Sequence, residues 1–163
     1  MSKLYCIYRN NKFRAEIRCG KVELISKEKK DGFESYIDIL GRVHEDLFIK
    51  QLNLQDVDVI FNEDIELKYE GIFFQLFSST LKKENVEDNK FMLFTDSEKL
   101  AQEYGFEKKE QFVFSKDITK EQIESIKIIQ KPIKEFEAYG IKETILKKEE
   151  IDAWLNKISS YYN

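Results

Sequence analysis

The sequence is poor both in the residues that punctuate chains and in those that carry chemistry. Among 163 residues there are one proline and six glycines, so no flexible linker is written into it and the turns fall to Asn, Asp, Ser and Lys. A single histidine, His44, is the one base open to a His-dependent triad, and no Gly-x-Ser-x-Gly elbow accompanies it. Beside Glu45 and Asp46 at the start of an expected strand, His44 reads as a solvated surface residue. The two cysteines, Cys6 and Cys19, form no Cys-x-x-Cys framework for zinc. Neither a Gly-x-Gly-x-x-Gly turn nor a Walker loop is present, which removes the usual phosphate cradles. No catalytic residue, metal or cofactor is expected, and the chain reads as a protein that is not an enzyme.

Long apolar runs are missing too. No stretch approaches the roughly 18 residues a membrane span needs, and MSKLYCIYRNNK lacks the apolar run and small-residue cleavage site of a secretory leader. The expectation is a cytoplasmic protein with no membrane partner. A first hairpin around an Asn10-Asn11 turn would set Cys6 opposite Ala15 and leave Cys19 about 13 Å further along the strand, too far for a disulfide. Two free thiols fit a reducing compartment.

What the chain does have is apolar and charged side chains in quantity. With 42% apolar, 13% aromatic and 36% charged residues it can bury a core and should fold. The net charge is −4, from 27 basic and 31 acidic residues, which argues against a nucleic-acid binder with its basic stripe.

The pattern repeats. Tyr8 and Phe13 match Tyr69 and Phe74; Lys21–Ser26 matches Lys90–Thr95; Glu34–Tyr36 resembles Gln102–Tyr104; Glu45–Ile49 matches Glu110–Phe114. Leu52, Val57 and Ile60 correspond to Ile118, Ile123 and Ile126. The offset moves from 61 to 69 and settles at 65 to 66, so insertions fall between matched blocks, where loops belong. This reads as an internal repeat, against the competing view that alternating strands look alike by chance.

Each copy offers three strands, an excursion, a strand, a single turn and a last strand. In the second copy the excursion is a helix, Glu98–Tyr104, capped by Asp96 or Ser97 and ended by Gly105. That order suggests a mostly β (α+β) protein made of a tandem duplication of a five-stranded SH3-like barrel unit, spanning 1–63 and 64–131. The alternative is one continuous antiparallel sheet with helices on one face. Residues 132–163 form a C-terminal extension, with an amphipathic helix at about 146–160 whose Ile151, Trp154, Leu155 and Ile158 make one apolar stripe.

Charge is distributed unevenly. Residues 1–43 hold ten basic against six acidic side chains, whereas 44–70 hold two against eight. Glu45, Asp46, Asp56, Asp58, Glu63, Asp64 and Glu66 therefore stand as candidates for a negative surface that attracts a basic partner; the competing view is a wet strand face paired with the basic first 43 residues. Phe73 and Phe77 fall where the first copy carries charge, which makes them either packing or an aromatic anchor. The second copy lengthens a hairpin by the 81–89 segment, whose Glu84, Glu87 and Asp88 join the candidates.

The run Lys-Val-Glu-Leu-Ile-Ser followed by Gly-Phe-Glu-Ser-Tyr, repeated as Leu-Phe-Thr with Leu-Ala-Gln-Glu-Tyr-Gly-Phe, is similar to small duplicated immunity proteins of polymorphic or contact-delivered toxin systems in low-GC Gram-positive bacteria. The likeness covers about residues 3 to 130. It implies a cytosolic inhibitor that binds one cognate toxin domain and occludes its active site; the acidic patch would suit a basic nuclease domain as that toxin. The other function considered is a non-enzymatic SH3-like peptide-binding or scaffolding module.

Overall fold

The computed structural model describes residues 3–77 and 81–158. Its strands are β1 (Lys3–Tyr8), β2 (Asn11–Arg18), β3 (Lys21–Ser26), β4 (Glu34–Ile37), β5 (Val43–Leu52), β6 (Val59–Tyr69), β7 (Ile72–Leu76), β8 (Phe91–Thr95), β9 (Glu107–Glu110), β10 (Val113–Ile118), β11 (Ser125–Pro132) and β12 (Lys142–Leu146). Three short helices accompany them: α1 (Lys83–Glu87), α2 (Glu98–Tyr104) and α3 (Ile151–Ile158). The protein is mostly β, an open antiparallel sheet in the order β4-β5-β3-β2-β1-β6-β7-β8-β10-β9, with β11 on β6 and β12 on β11. The expectation of closed SH3-like barrels is corrected here, because the order ends on β4 and β9 without closing.

Two units emerge. Among the described residues, the first comprises 3–62 and 131–141; the second comprises 63–77, 81–130 and 142–158.

In the first unit the opening hairpin is turned by Arg9 and Asn10, both at positive φ (50° and 63°), one residue earlier than the Asn10-Asn11 pair that the sequence suggests. Two consecutive left-handed residues match the twist of the flanking strands. Cys6 is consequently opposite Phe13, not Ala15. The corrected register leaves both thiols free, Cys6 buried and Cys19 exposed. Alternation along β2 buries Phe13 and Ala15 while Arg14 and Glu16 face solvent. With Cys6, Val22, Leu24, Phe33, Val57, Ile60 and Phe136 they form the core of this unit, each large side chain contributing about 1.5–3 kcal/mol by leaving water.

The second unit repeats this order of elements and its register. Leu67 opposes Phe74 as Cys6 opposes Phe13, and Phe91 opposes Ile118 as Val22 opposes Leu52. The hydroxyl ending each third strand does the same work twice: Ser26 Oγ accepts from Glu28 N at 3.2 Å, and Thr95 Oγ1 from Ser97 N at 3.1 Å. After the fourth meander strand comes a single 3-10 turn, Leu54–Asp56 or Lys120–Gln122, each with a capping box from Asn53 or Thr119.

Sequence reading mistook two segments. Glu34–Ile37 was expected to be helical or irregular and is strand β4; it pairs with β5 as β9 pairs with β10, so its counterpart is Glu107–Glu110 and not Gln102–Tyr104. With four residues and a single paired neighbour, this edge strand has too short an alternation to show in the sequence. The 81–89 segment carries helix α1 where a plain loop was expected. By contrast, α2 starts with Ser97 Oγ accepting from Leu100 N and ends on left-handed Gly105, as its sequence signals require. Helix α3 begins at Ile151 after a 3-10 turn, shorter than the 146–160 expectation, whose last two residues lie outside the described ones; Ile151, Leu155 and Ile158 are buried and Trp154 is half-buried. It belongs to the second unit, where Lys148 Nζ donates to the carbonyls of Glu121 and Ile123 at 2.6 and 3.0 Å.

Candidate partner-binding surface

The acidic stretch does not form one field. In the first unit, β5 inserts Glu45, Asp46 and Leu47 as a bulge: Tyr36 is opposite His44 and the preceding Ser35 is opposite Phe48. That bulge turns Glu45 and Asp46 out, and both are exposed. Asp56 and Asp58 lie beyond the far end of the same strand, with seven residues from Asp46 to Asn53 covering about 23 Å at strand rise. There Asp56 Oδ2 accepts from Asn53 N at 3.1 Å, an internal cap. Asp58 is exposed, its backbone N–H donating to Ile7 O at 2.9 Å. No ion pair reaches Glu45, Asp46 or Asp58 among the described residues.

Asp58 borders a cleft of about 770 Å³ with an apolar floor of Leu54, Val57 and Phe136 and a rim that includes Glu135 and Tyr139. The rings of Phe136 and Tyr139 lie 5.9 Å apart, and Tyr139 is 69% exposed. Cys6 belongs to the same core cluster as Val57 and Phe136; burial first, and then the charge of Asp58, push its thiol up to about 12, so it is an inert core group.

The second unit corrects several expectations. Glu63 is only 5% exposed and accepts from Gln130 Nε2 at 2.9 Å; it is an internal acceptor and no surface acid. Glu66 is half-buried and 3.5 Å from Lys127 Nζ. Asp64 is half-buried on β6. Phe73 is covered on its face by Lys127 Nζ, 4.2 Å from the ring centroid, and by Lys68 at 5.8 Å. Phe77 packs its ring 4.6 Å from Phe94. Both aromatics are thus half-buried packing groups in place of the free anchor the sequence allowed. Glu84, Glu87 and Asp88 are exposed on α1 and its end, with Glu87 3.8 Å from Lys83.

The sequence reading passed over one surface altogether. Between β4 and β5, Ile37, Ile39, Leu40 and Val43 are 60%, 97%, 68% and 59% exposed. Its signal was present as an apolar Ile-x-Ile-Leu run ending in a glycine turn, hidden by the assumption that this stretch was an irregular excursion.

Comparison with protein families adds one placement. The chain belongs to the family described as uncharacterised conserved protein UCP033725. The match runs over residues 1–135, which takes in Glu45, Asp46, Asp56 and Asp58 of the first unit and the apolar hairpin. No curated protein and no solved structure matches the chain. Among the described residues no helix is long and apolar enough to cross a membrane, and no three His, Cys, Asp or Glu side chains gather as a metal site would need.

Proposed function

We propose that this chain is a non-enzymatic inhibitor, an immunity protein that binds a cognate toxin domain and covers its active site. One observation carries the reading: Glu45, Asp46 and Asp58 stand exposed on the first unit and make no ion pair among the described residues. Unpaired carboxylates at fixed positions favour a basic partner and speed its encounter, while costing little in the free protein. A basic nuclease domain, whose positive groove receives a polyanion, is the partner this charge suits best.

The scaffold fits that role as a tandem duplication of one SH3-like strand order. One copy is free to diverge at its surface while the other keeps the shared elements. Support comes from the matched registers, the twin 3-10 turns and the paired bonds Asp58 N to Ile7 O and Glu124 N to Lys68 O, both 2.9 Å. The cleft beside Tyr139 favours a second reading, a module that grips an extended peptide against an aromatic wall.

The test is co-expression with the product of the adjacent open reading frame. The two proteins should co-purify, and cells making that product should survive only when this chain is present. Equal toxicity with and without the chain removes the immunity reading.

A further inference from the structure

We infer that the β4–β5 hairpin is the anchor of the interface, inserting its apolar tip into an apolar recess bordered by lysine or arginine on a protein partner. The inference rests on the binding role proposed above and adds to it the place and chemistry of contact.

The tip is both apolar and fixed. Ile39 is 97% exposed and Leu40 68%, yet the loop carrying them is held from within. Asp38 Oδ1 accepts from Leu40 N at 2.9 Å and from Arg42 N at 3.0 Å. Its Oδ2 lies 3.1 Å from His44 Nε2 and 3.6 Å from Arg42 Nε. Asp38 N donates to Arg42 O at 3.0 Å, and Gly41 N to Asp38 O at 2.9 Å, with Gly41 at φ 79° supplying the left-handed step. The His44 ring in turn rests 5.2 Å from that of Tyr36. A loop ordered before the encounter spends no ordering entropy during it, which is the condition under which exposed aliphatic side chains act as anchors.

The sheet itself does not require these residues. At the equivalent place in the second unit, β9 reads Glu-Lys-Lys-Glu and all four residues are exposed; the charges blunt the strand edge against association. That hairpin turns through Phe112 alone among large apolar residues, at φ 60°. The edge strand is thus charged throughout in the second unit, whose turn exposes the single Phe112 (69%), whereas in the first unit four exposed aliphatic residues gather on the strand end and turn.

Charge selects the occupant. Arg42 is engaged by Asp38, so the stem presents Glu34 and the bulged Glu45 and Asp46, all exposed. An anionic lipid surface is repelled by that rim, and a second copy docked about a twofold axis would set acid against acid. A protein recess with a basic border is the surface that satisfies both the aliphatic tip and the acidic stem.

The experiment measures binding of the adjacent gene's product to the wild type, to Ile39→Ser/Leu40→Ser and to Glu45→Lys/Asp46→Lys, with melting curves showing that each variant is folded. The serine pair should weaken binding by about 30-fold or more. The lysine pair should slow association at low salt and lose that effect by about 0.5 M salt. Wild-type affinity in the serine variant overturns the anchor while leaving the inhibitor reading intact. Should the adjacent product not bind wild type, the inhibitor reading fails and the anchor is decided by a photo-crosslinking residue at position 40 in the native cell. An adduct that maps to an apolar peptide flanked by Lys or Arg, and that disappears with Glu45→Lys/Asp46→Lys, supports it. Adducts to lipid only, to a second copy only, or none at all overturn it, as does flotation of the purified chain with phosphatidylglycerol vesicles.

Discussion

The backbone N–H of Glu124 donates to the carbonyl of Lys68 at 2.9 Å. Asp58 and Ile7 make the same bond at the same length in the first unit, and in both cases the donor lies just after the 3-10 turn, two residues beyond its last residue. Equivalent bonds make equivalent positions comparable. Leu24 and Leu93 occupy matching places on the third strand of each unit, and both are fully buried. Truncating either to alanine should cost about 2–5 kcal/mol, read as a lowered urea midpoint. A neutral outcome at one position would show that the two cores are not built alike.

Glu63 and the pair Glu45/Asp46 separate burial from surface charge. Lysine at 63 would place a cation where a buried carboxylate accepts a hydrogen bond, a change worth on the order of 3 kcal/mol of lost stability. Lysine at 45 and 46 touches exposed bulge positions and should alter stability by less than about 0.5 kcal/mol each. Thermal melts of the two variants decide this directly, and a silent Glu63→Lys would place that residue at the surface.

Cysteine reactivity should be divided. Cys19 is exposed, whereas burial and Asp58 push the Cys6 thiol up to about 12, leaving almost no thiolate at neutral pH. Iodoacetamide at pH 8 is expected to label one site in the native protein and both after denaturation, as intact mass reports. Rapid native labelling of Cys6 would contradict the packing of β1.

The hairpin lock depends on pH in a defined direction. The backbone N–H of Arg42, then the His44 side chain and the N–H of Leu40, hold the Asp38 carboxyl below its ordinary value. A carboxylate with a depressed folded pKa contributes above its unfolded pKa of about 3.9, and the contribution is lost as pH falls through the lower folded value. Amide resonances of Leu40 and Arg42 should therefore show an acid transition with a midpoint under about 3.9. A midpoint at or above that value means the carboxylate does not fasten the loop.

Gly71 tests a turn without confounding contacts. It sits at φ 85°, a Cβ there would meet nothing within 4 Å, and its N–H donates to Glu124 Oε1 at 3.2 Å. Gly71→Ala should cost about 1 kcal/mol from backbone strain alone, visible in the same melts. No loss would mean the β6–β7 turn relaxes to another type.

The sequence by itself determined the alternation that makes strands, the caps of α2 and the repeat of elements, because these depend on neighbours two to four residues away whose side chains fix local geometry. Phe13 with Phe74, Leu24 with Leu93 and Ile60 with Ile126 were legible as buried pairs for that reason. Only the tertiary structure decided which acids are free. Glu63 and Asp58 look alike in the chain, yet partners far away in sequence bury one against Gln130 and leave the other at a cleft. The apolar hairpin was decided there as well, since four aliphatic residues within the seven of 37–43 carry no strand or helix period, and only the open edge of β4 shows that they stand exposed. Local pattern selects the element; long-range pairing selects which of its faces meets water.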